Sequence, residues 1–459
     1  MKKTIKVLTI LVLLLTVIFS VSCSTKETTR AAVFIDLTQK PDNIDEAYSY
    51  LYDLTEVDRC ESNCNLEGGE WNYLAHPDSV LLNKGTDNEV IWTAYVHGHG
   101  KGPILVKTSS DGGLTYSERK TTPNSWLYSE ETPTIYELNF KNGDKKHILI
   151  SANPKWGKNG VNVFENYDHG NGFNASISLD NCETWSEFKT FYEYGSDGYV
   201  AAIVAMSSLT QLKENGEFVD KWMGLFHDAS FKLYKSILTF DVDDNMQWSK
   251  PEEYLSNSKK GLSSSQRSIA KKNKLCEVEV IRSDNGLGDK LVMIARNNTH
   301  KSNSMMAFSY DEGESWTELK YVPDSLNGDR HKAEYCTDNS GRILITYRDI
   351  INKTTSVSSI SSRGWCAWVG TFEDLEKWYN GDISSTGQYE IRLAHIYSED
   401  VTSYGEYSDS DTGYSGNVCL KDGTFVIDTY GEFDKSGQTY IASKRINLND
   451  IDNLVKQIK

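Results

Sequence analysis

The sequence feature that most constrains the fold is a short motif that recurs at a nearly constant interval. Three copies are clear, at residues 109–116, 178–185 and 309–316, and a decayed copy lies at 241–248. The aromatic residues that close the copies fall at positions 116, 185, 248 and 316, a spacing of 63 to 69 residues. Self-similarity at a fixed period indicates a fold assembled from repeated supersecondary units.

Each copy has the residue types of a tight turn; the first reads S-S-D-G-G-L-T-Y. The side chains of Ser109 and Asp111 are suited to hydrogen-bond the turn amides, and Gly113 permits a positive φ. We expect Tyr116 to pack beneath the turn. The motif therefore predicts a hairpin turn that is structural and makes no catalytic contact.

Two strand-like runs precede each copy, and polar turns separate them. The runs are 77–82 and 90–96, 133–138 and 147–151, 203–209 and 222–226, and 276–282 and 291–295. Two later units lack the motif but keep the strand pattern, at 332–336, 342–347 and 365–371 and at 417–420, 424–429 and 439–443. Six such units predict an all-β, six-bladed β-propeller, because radial closure leaves no exposed sheet edge and forms a pocket on the axis.

The N-terminus has the pattern of an export signal. Lys2, Lys3 and Lys6 precede an apolar run at 7–19, and small residues then lead to Cys23. A basic start, a short apolar core and small residues are typical of a secretory signal, and the cysteine after them resembles a lipobox with Cys23 as the acylated residue. The alternatives are an ordinary signal peptide and an uncleaved anchor.

The predicted organisation follows from these patterns. We expect a lipoprotein signal peptide at 1–22, a polar tether at 23–31 and one propeller at 32–459. A lead-in at 32–70 is expected to include a ring-closing strand at 32–37 and a helical stretch at 43–54. The predicted location is outside the cytoplasm of a bacterium, with a lipid anchor holding the chain to a membrane.

Charge and cysteine content exclude some functions. The net charge is −17, so no nucleic-acid partner is expected, and an acidic substrate requires a local cluster of arginines. Apart from Cys23, seven cysteines are scattered, which predicts no disulfide framework. Cys60 and Cys64 form the one close pair, and both a disulfide and two thiols are compatible with it. We predict no cofactor and no metal, since the histidines at 76, 97 and 99 lack a supporting acidic pattern.

The turn motif resembles the Asp box of the sialidase (neuraminidase) superfamily, and two further stretches extend the resemblance. Residues 413–424 resemble the family's Y-S-x-L-x-x-L-x-D-G-T stretch, with Tyr414 eight residues before Asp422 and Asn417 in place of a leucine. The resemblance implies that Tyr414 is the nucleophile. A sialic acid carries a carboxylate on its anomeric carbon, so a neutral phenol avoids the repulsion that an anionic nucleophile would meet.

The second stretch lies in the fourth unit. Residues 277–286 resemble the family's E-x-x-V-V-E-L-x-D-G, and the following strand ends in Arg296 and an asparagine. The resemblance implies that Glu277 is the base that activates Tyr414 and that Arg296 binds the substrate carboxylate through its forked guanidinium. Glu279 shares the side-chain face of Glu277 in a strand and competes for the base role.

The fifth unit supplies two more arginines. Arg348 ends its second strand much as Arg296 does, and Arg330 lies just before the first strand. We predict both as further contacts to the substrate carboxylate. Surface solvation and an ion pair with Asp329 or Asp349 are the alternatives for each.

The first unit departs from the family pattern. Where sialidases have R-I-P or R-L-P, residues 73–78 contain no arginine, and residues 95–103, which correspond to the segment of the acid/base aspartate, contain no acid. The candidates to replace these groups are Asp78 and Glu131 as proton donors, His97 and His99 as donors or substrate contacts, and Trp71 and Trp126 as sugar-stacking aromatics.

The resemblance implies a retaining exo-acting glycoside hydrolase that releases a terminal sialic acid or a related acidic sugar from glycans. Two alternatives stay open: an exo-glycosidase for another sugar, and a non-catalytic glycan-binding propeller. The distance between Tyr414 and Glu277 distinguishes enzyme from binding module, because catalysis requires the two side chains within hydrogen-bond reach.

Overall fold

The computed structural model of the chain describes residues 32–60, 72–99, 102–128, 132–153, 170–255, 263–349, 364–396, 412–434 and 436–458. In these residues the chain forms six mainly antiparallel sheets. The first strands of neighbouring sheets lie side by side around a common axis. The predicted six-bladed β-propeller is therefore confirmed.

Two strands precede the blades: β1 (Val33–Asp36) and β2 (Thr55–Asp58). Blade 1 contains β3 (Leu74–Leu82), β4 (Val90–His97) and β5 (Ile104–Ser109). Blade 2 contains β6 (Thr134–Asn139), β7 (Lys145–Ala152), β8 (Phe173–Ser178) and β9 (Lys189–Phe191). Blade 3 contains β10 (Ala202–Glu214), β11 (Glu217–Asp228), β12 (Leu233–Phe240), β13 (Met246–Trp248) and β14 (Glu252–Glu253).

Blade 4 contains β15 (Leu275–Arg282), β16 (Leu291–Asn297), β17 (Met305–Ser309) and β18 (Lys320–Tyr321). Blade 5 contains β19 (Gly328–Tyr335), β20 (Arg342–Asp349), β21 (Gly364–Thr371) and β22 (Tyr389–His395). Blade 6 contains β23 (Gly416–Cys419), β24 (Thr424–Gly431) and β25 (Tyr440–Asn447).

The helices are short. Within the described ranges, four are α-helical: α1 (Ser264–Lys272), α2 (Ser283–Gly286), α3 (Phe372–Tyr379) and α4 (Leu448–Ile458). The same ranges contain 3₁₀ helices at Glu46–Tyr52, Asn124–Tyr128 and Asp324–Leu326, and the first of them lies within the predicted helical stretch. Among the described residues, no helix has both the length and the apolar character needed to cross a lipid bilayer.

Two N-terminal strands complete the last two blades. Strand β2 pairs with β25 and becomes the outer strand of blade 6, so that blade combines the beginning and the end of the chain. Strand β1 pairs in parallel with β22 at the outer edge of blade 5. The strand predicted at 32–37 thus forms, but the ring is closed by β2. An apolar run predicts a strand without specifying the edge it joins.

The repeated turns have the predicted hydrogen bonds. In the first, the Ser109 hydroxyl donates to Asp111 over 2.8 Å and accepts from the amide of Gly113 over 2.9 Å. Asp111 also accepts from the amide of Thr115 over 3.0 Å. The copies at 178–185 and 309–316 repeat this pattern, with Cys182 at a φ of 67° where the others have glycine.

A buried carboxylate joins blade 6 to blade 1. Asp428 accepts hydrogen bonds from Ser79, Thr93 and Tyr116 over 2.7, 2.6 and 2.9 Å. Because a buried charge is tolerated only with several such donors, this group holds the first and last blades in register.

Candidate active site

The inner strands of four blades share an irregularity at the axis. Strands β3, β10, β15 and β19 each shift register there. The residues at the shifts, His76, Met206, Glu277 and Arg330, have positive φ values of 44° to 52°. A bulge in a strand redirects a side chain, and non-glycine residues in this strained region are typical of functional sites. The repeated strand bulges therefore bring residues from distant blades close to the axis.

Tyr414 and Glu277 meet at this place. Tyr414 lies just before β23, and its hydroxyl donates a hydrogen bond to Oε1 of Glu277 over 2.5 Å. The two residues are 137 positions apart in the chain and belong to blades 6 and 4. Blade closure therefore brings the predicted nucleophile and the predicted base within hydrogen-bond reach.

The charge states of this pair suit proton transfer. Burial would raise the pKa of Glu277, but the neighbouring Arg296 and Arg330 hold its pKa below the usual value. Burial and the Glu277 carboxylate raise the pKa of Tyr414 well above its usual range. The resting pair is a neutral phenol hydrogen-bonded to an ionised carboxylate, which is the protonation state that an activated tyrosine nucleophile requires.

The three predicted arginines also lie around Tyr414. Nη1 of Arg296 donates to Glu277 over 2.9 Å and to the Tyr414 hydroxyl over 3.3 Å. The guanidinium carbon of Arg330 lies 5.4 Å from the centroid of the Tyr414 ring. Arg348 joins the cluster through Asp329, to which its Nη2 donates over 2.6 Å. The chain thus gathers three guanidinium groups at the phenol.

Asp329 was considered in the sequence only as an ion-pair partner, yet it lies inside the cluster. Its carboxylate contacts Arg348, Nε of Arg296 at 3.0 Å and Nε2 of His300 at 3.3 Å. The side chain is only 1% exposed. Asp329 is therefore a central member of the site.

His76 occupies the blade 1 side of the site and was missed as a site residue. Its ring centroid lies 4.6 Å from that of Tyr414 and 5.0 Å from that of Tyr430. His99 lies next to it, with a centroid distance of 5.2 Å, and is exposed. His99 therefore lies near the site, as predicted, whereas the bulge that turns His76 towards the axis leaves no signal in the sequence.

His97 and Trp126 do not line the site, which corrects two predictions. His97 is fully buried, and its Nε2 lies 3.2 Å from the sulfur of Cys60. Trp126 is fully buried against Trp185 and Phe188, with ring centroids 5.3 and 5.8 Å apart. His97 packs against Cys60 of the segment that precedes blade 1, and Trp126 fills the core between blades 1 and 2.

The two candidate carboxylic acids have different outcomes. Asp78 is 3% exposed, lies 3.0 Å from Nζ of Lys332, and accepts a hydrogen bond from the amide of Ile135 over 3.0 Å. Through these contacts Asp78 joins blade 1 to blades 5 and 2, which is a structural role rather than the predicted acid role. Glu131 lies outside the described residues, as do Trp71, Cys64 and Cys23.

Glu279, the competitor for the base role, lies in a separate cavity. This cavity of about 210 Å³ is lined by residues from all six inner strands. Glu279 accepts a hydrogen bond from the amide of Ala333 over 3.0 Å, and burial raises its pKa to about 7. Its contacts are to blade 5, and Glu277 is the carboxylate that contacts the phenol.

A second histidine near the base was also missed. His227, at the end of β11, is 5% exposed and stacks on Phe231 at a centroid distance of 6.1 Å. Burial lowers its pKa to about 4, so the ring is neutral near Glu277 at neutral pH. No motif marks this histidine in the sequence.

Comparison with known proteins finds similarity in structure only. No protein-family model matches the chain, and no curated protein matches its sequence. A protein of unknown function from Dyadobacter fermentans is 15% identical with a TM-score of 0.53, covering 86% of this chain and 97% of that one.

Two enzymes of known name have a similar structure. A sialidase from Streptococcus pneumoniae is 11% identical with a TM-score of 0.52, covering 89% of this chain and 73% of that one. An α-L-arabinanase from Penicillium chrysogenum is 10% identical with a TM-score of 0.51, covering 86% and 98%. At such identities the likeness establishes the fold alone, which is a sialidase-like six-bladed β-propeller.

Proposed function

We propose that this protein is an exo-acting, retaining glycoside hydrolase with Tyr414 as its nucleophile. The observation that supports this most strongly is the 2.5 Å hydrogen bond between the Tyr414 hydroxyl and Glu277 on the propeller axis. A buried tyrosine bonded to an ionised carboxylate and surrounded by guanidinium groups has little structural purpose, because burying so many charges is costly.

The proposed reaction has two steps. The Tyr414 oxygen attacks the anomeric carbon, its proton passes to Glu277, and the glycosidic bond breaks as the leaving oxygen takes a proton from a general acid. Water then attacks the anomeric carbon and gives a proton to the deprotonated general acid, while the bond to the Tyr414 oxygen breaks and Glu277 returns the proton to the phenol. Two inversions give net retention. Glu131 and His99 are the candidates for the general acid.

The preferred substrate is a glycan with a terminal sialic acid or a related acidic sugar. Three guanidinium groups face two carboxylates, Glu277 and Asp329, so the arginines outnumber the carboxylates and the site carries a net positive charge. A carboxylate on the sugar complements that charge. The structural similarity to a sialidase also agrees with this substrate.

A second candidate is a glycosidase for a neutral sugar. Asp329 already binds Arg296 and Arg348, and blade 1 presents His76 instead of an arginine. Both features weaken the attraction for an anion. The similar arabinanase was observed with arabinobiose, a neutral disaccharide.

We further propose that the protein is exported and anchored through Cys23 to a bacterial membrane, where it meets glycans outside the cytoplasm. The support is the signal-like sequence of residues 1–22. Metabolic labelling with a fatty-acid analogue, compared between the native chain and Cys23→Ser, tests this. An unlabelled native chain would contradict the anchor.

The test of the function is a screen of the purified chain against aryl glycosides, including sialosides and arabinofuranosides. We expect one class to be cleaved with retention and cleavage to depend on Tyr414. An analogue of the cleaved sugar with fluoride as the leaving group on the anomeric carbon and a second fluorine on the adjacent carbon should add its glycosyl mass to the peptide that contains Tyr414. A chain that binds glycans but cleaves none would instead be a binding module.

A further inference from the structure

We infer that Asp329 is a built-in carboxylate that occupies Arg296 and Arg348, so that a substrate carboxylate is bound chiefly by Arg330. The inference rests on the proposed function of the site in sugar binding. It ranks three arginines that the sequence treats as equivalent, and it assigns the charge of the ligand to one residue.

The contacts of Asp329 show that it takes the place of a ligand carboxylate. Oδ2 accepts from Nη2 of Arg348 over 2.6 Å, and Oδ1 lies 3.0 Å from Nε of Arg296. Two guanidinium groups on one carboxylate are an arrangement that proteins use to bind acidic ligands. Here the chain supplies the carboxylate itself.

Asp329 keeps its charge in this place. Burial would raise the pKa of the carboxyl, but Arg296, His300 and Arg348 hold the pKa far below its usual value. Asp329 therefore stays ionised, and paired with the two arginines, well below the pH at which a free aspartate takes up a proton. The positive charge of Arg296 is shared further, because Nη1 also contacts Glu277.

Arg330 has a different environment. It is 4% exposed, and within the described part of the chain its Nη1 has no hydrogen-bond partner. Its guanidinium carbon lies 5.4 Å from the centroid of the Tyr414 ring, next to the proposed nucleophile. Nε of Arg296 also lacks a hydrogen bond of good geometry, but it lies 3.0 Å from the Asp329 carboxylate, whereas no ion pair of Arg330 is found among the described residues. A buried guanidinium without an ion-pair partner is costly, so a ligand carboxylate gains more there than at an arginine that already faces a carboxylate.

The bulge in β19 explains how neighbouring residues take these opposite roles. Asp329 and Arg330 are adjacent, and in a regular strand they would face opposite sides of the sheet. The register shift between Asp329 and Lys332 and the φ of 51° at Arg330 let both side chains reach the site. Asp329 stays paired in register with Arg348, and Arg330 turns towards the phenol.

The experiment compares two probes that differ only in charge: 2-deoxy-2,3-didehydro-N-acetylneuraminic acid and its methyl ester. Calorimetry on the full chain gives the ratio of their affinities. We expect Arg330→Gln to lower the acid-over-ester ratio by about tenfold or more and Arg348→Gln to change it by less than about threefold. Asp329→Asn is expected to raise the ratio by about tenfold, because it releases two guanidinium groups.

The matched control is Asp289→Asn, which makes the same charge change at a carboxylate that is 77% exposed on blade 4. We expect it to leave the ratio unchanged. An equal loss in the Arg330 and Arg348 variants, or no gain in Asp329→Asn, would overturn the inference.

A second measurement keeps the inference testable if the Asp329 variants fold poorly, since loss of a buried ion-pair partner destabilises a protein. Formate should raise the melting temperature of Asp329→Ala more than that of the native chain or of Asp289→Asn, because it refills the space between Arg296 and Arg348. An equal rise in all three proteins counts against the inference.

The two proposals fail in different ways. If the native chain cleaves sialosides through Tyr414 but Arg330 and Arg348 contribute equally, the inference is wrong and the function stands. If the native chain neither cleaves sialosides nor prefers the acid, while Asp329→Asn prefers it, the inference holds and the acidic-sugar substrate is wrong.

Discussion

The two sides of the central site differ in chemistry, although on both sides a bulge in the inner strand places a residue with a positive φ at the axis. On the side of blades 4 to 6, Glu277 and Arg330 occupy strand bulges and point at Tyr414 with charged groups. On the side of blade 1, the bulge holds His76, which contacts Tyr414 through its ring. The propeller therefore provides positions at the axis, and the residue at each position decides the chemistry.

The buried carboxylates on the two sides of the site also differ in their hydrogen-bond and ion-pair partners. Glu277 is bonded to a phenol and an arginine in the site, whereas Asp78 is bonded to Lys332 and to the amide of Ile135. Both are almost fully buried. Burial alone does not make a catalytic residue, because the partners of the group decide whether its proton can move.

The largest expected effect comes from removing the phenolic oxygen. Tyr414→Phe should lower turnover of a cleaved aryl glycoside by at least about 10³-fold, the scale of a lost nucleophile, while the fold is kept. Steady-state kinetics measures the turnover, and circular dichroism measures whether the fold is kept. Tyr194→Phe is the control, since Tyr194 is 56% exposed. Native-like turnover in Tyr414→Phe would refute the nucleophile assignment.

Replacing the base should have the next largest effect. Glu277→Gln keeps the shape but cannot accept the phenol proton, so turnover should fall by about 10²- to 10⁴-fold. Because the pKa of Glu277 is lowered, the base stays ionised to below pH 4.5, and the acid limb of kcat/KM should lie below that pH. This limb should vanish in Glu277→Gln. If the acid limb persists unchanged in Glu277→Gln, a group other than Glu277 causes it.

On the blade 1 side, His76→Ala should have a smaller effect. The variant removes a ring 4.6 Å from the Tyr414 ring and lets the phenol shift, which should lower kcat by roughly 10- to 100-fold. His76→Phe, which keeps an aromatic ring, should recover most of the loss. If His76→Phe is as inactive as His76→Ala, the histidine acts through its nitrogens rather than through packing.

The smallest effect on activity is expected at Asp78. Asp78→Asn breaks the ion pair with Lys332 and should cost about 3 kcal/mol of unfolding free energy in urea. Turnover of the folded variant should stay within about threefold of native, because Asp78 contacts neither Tyr414 nor Glu277 in the described structure. A loss of turnover with normal stability would restore Asp78 as the general acid.

Much of the architecture was predictable because its signals are local. The turn motif at 109–116 contains its own hydrogen-bond partners, so its spacing predicts the blades. The strand at 32–37 was predicted as well, but its partner β22 lies more than 350 residues away. Edge pairing over such distances depends on the closed ring.

The site was predictable only in part. Tyr414, Glu277 and Arg296 were identified by their spacing to neighbouring residues, and they meet as expected. His76 was missed and Trp126 was assigned wrongly, because a bulge or a 3₁₀ helix changes which way a side chain points without changing the residue pattern.

The amino-acid sequence alone carries the number of blades and the residue types available for chemistry, because turns and strands depend on neighbouring residues. The tertiary structure decides which charged groups meet. Asp329 binds Arg296 and Arg348, leaving Arg330 beside the phenol, only because the ring closes and β19 bulges. Those contacts join different blades, and electrostatic pairing in a buried site depends on distances that the order of residues does not contain.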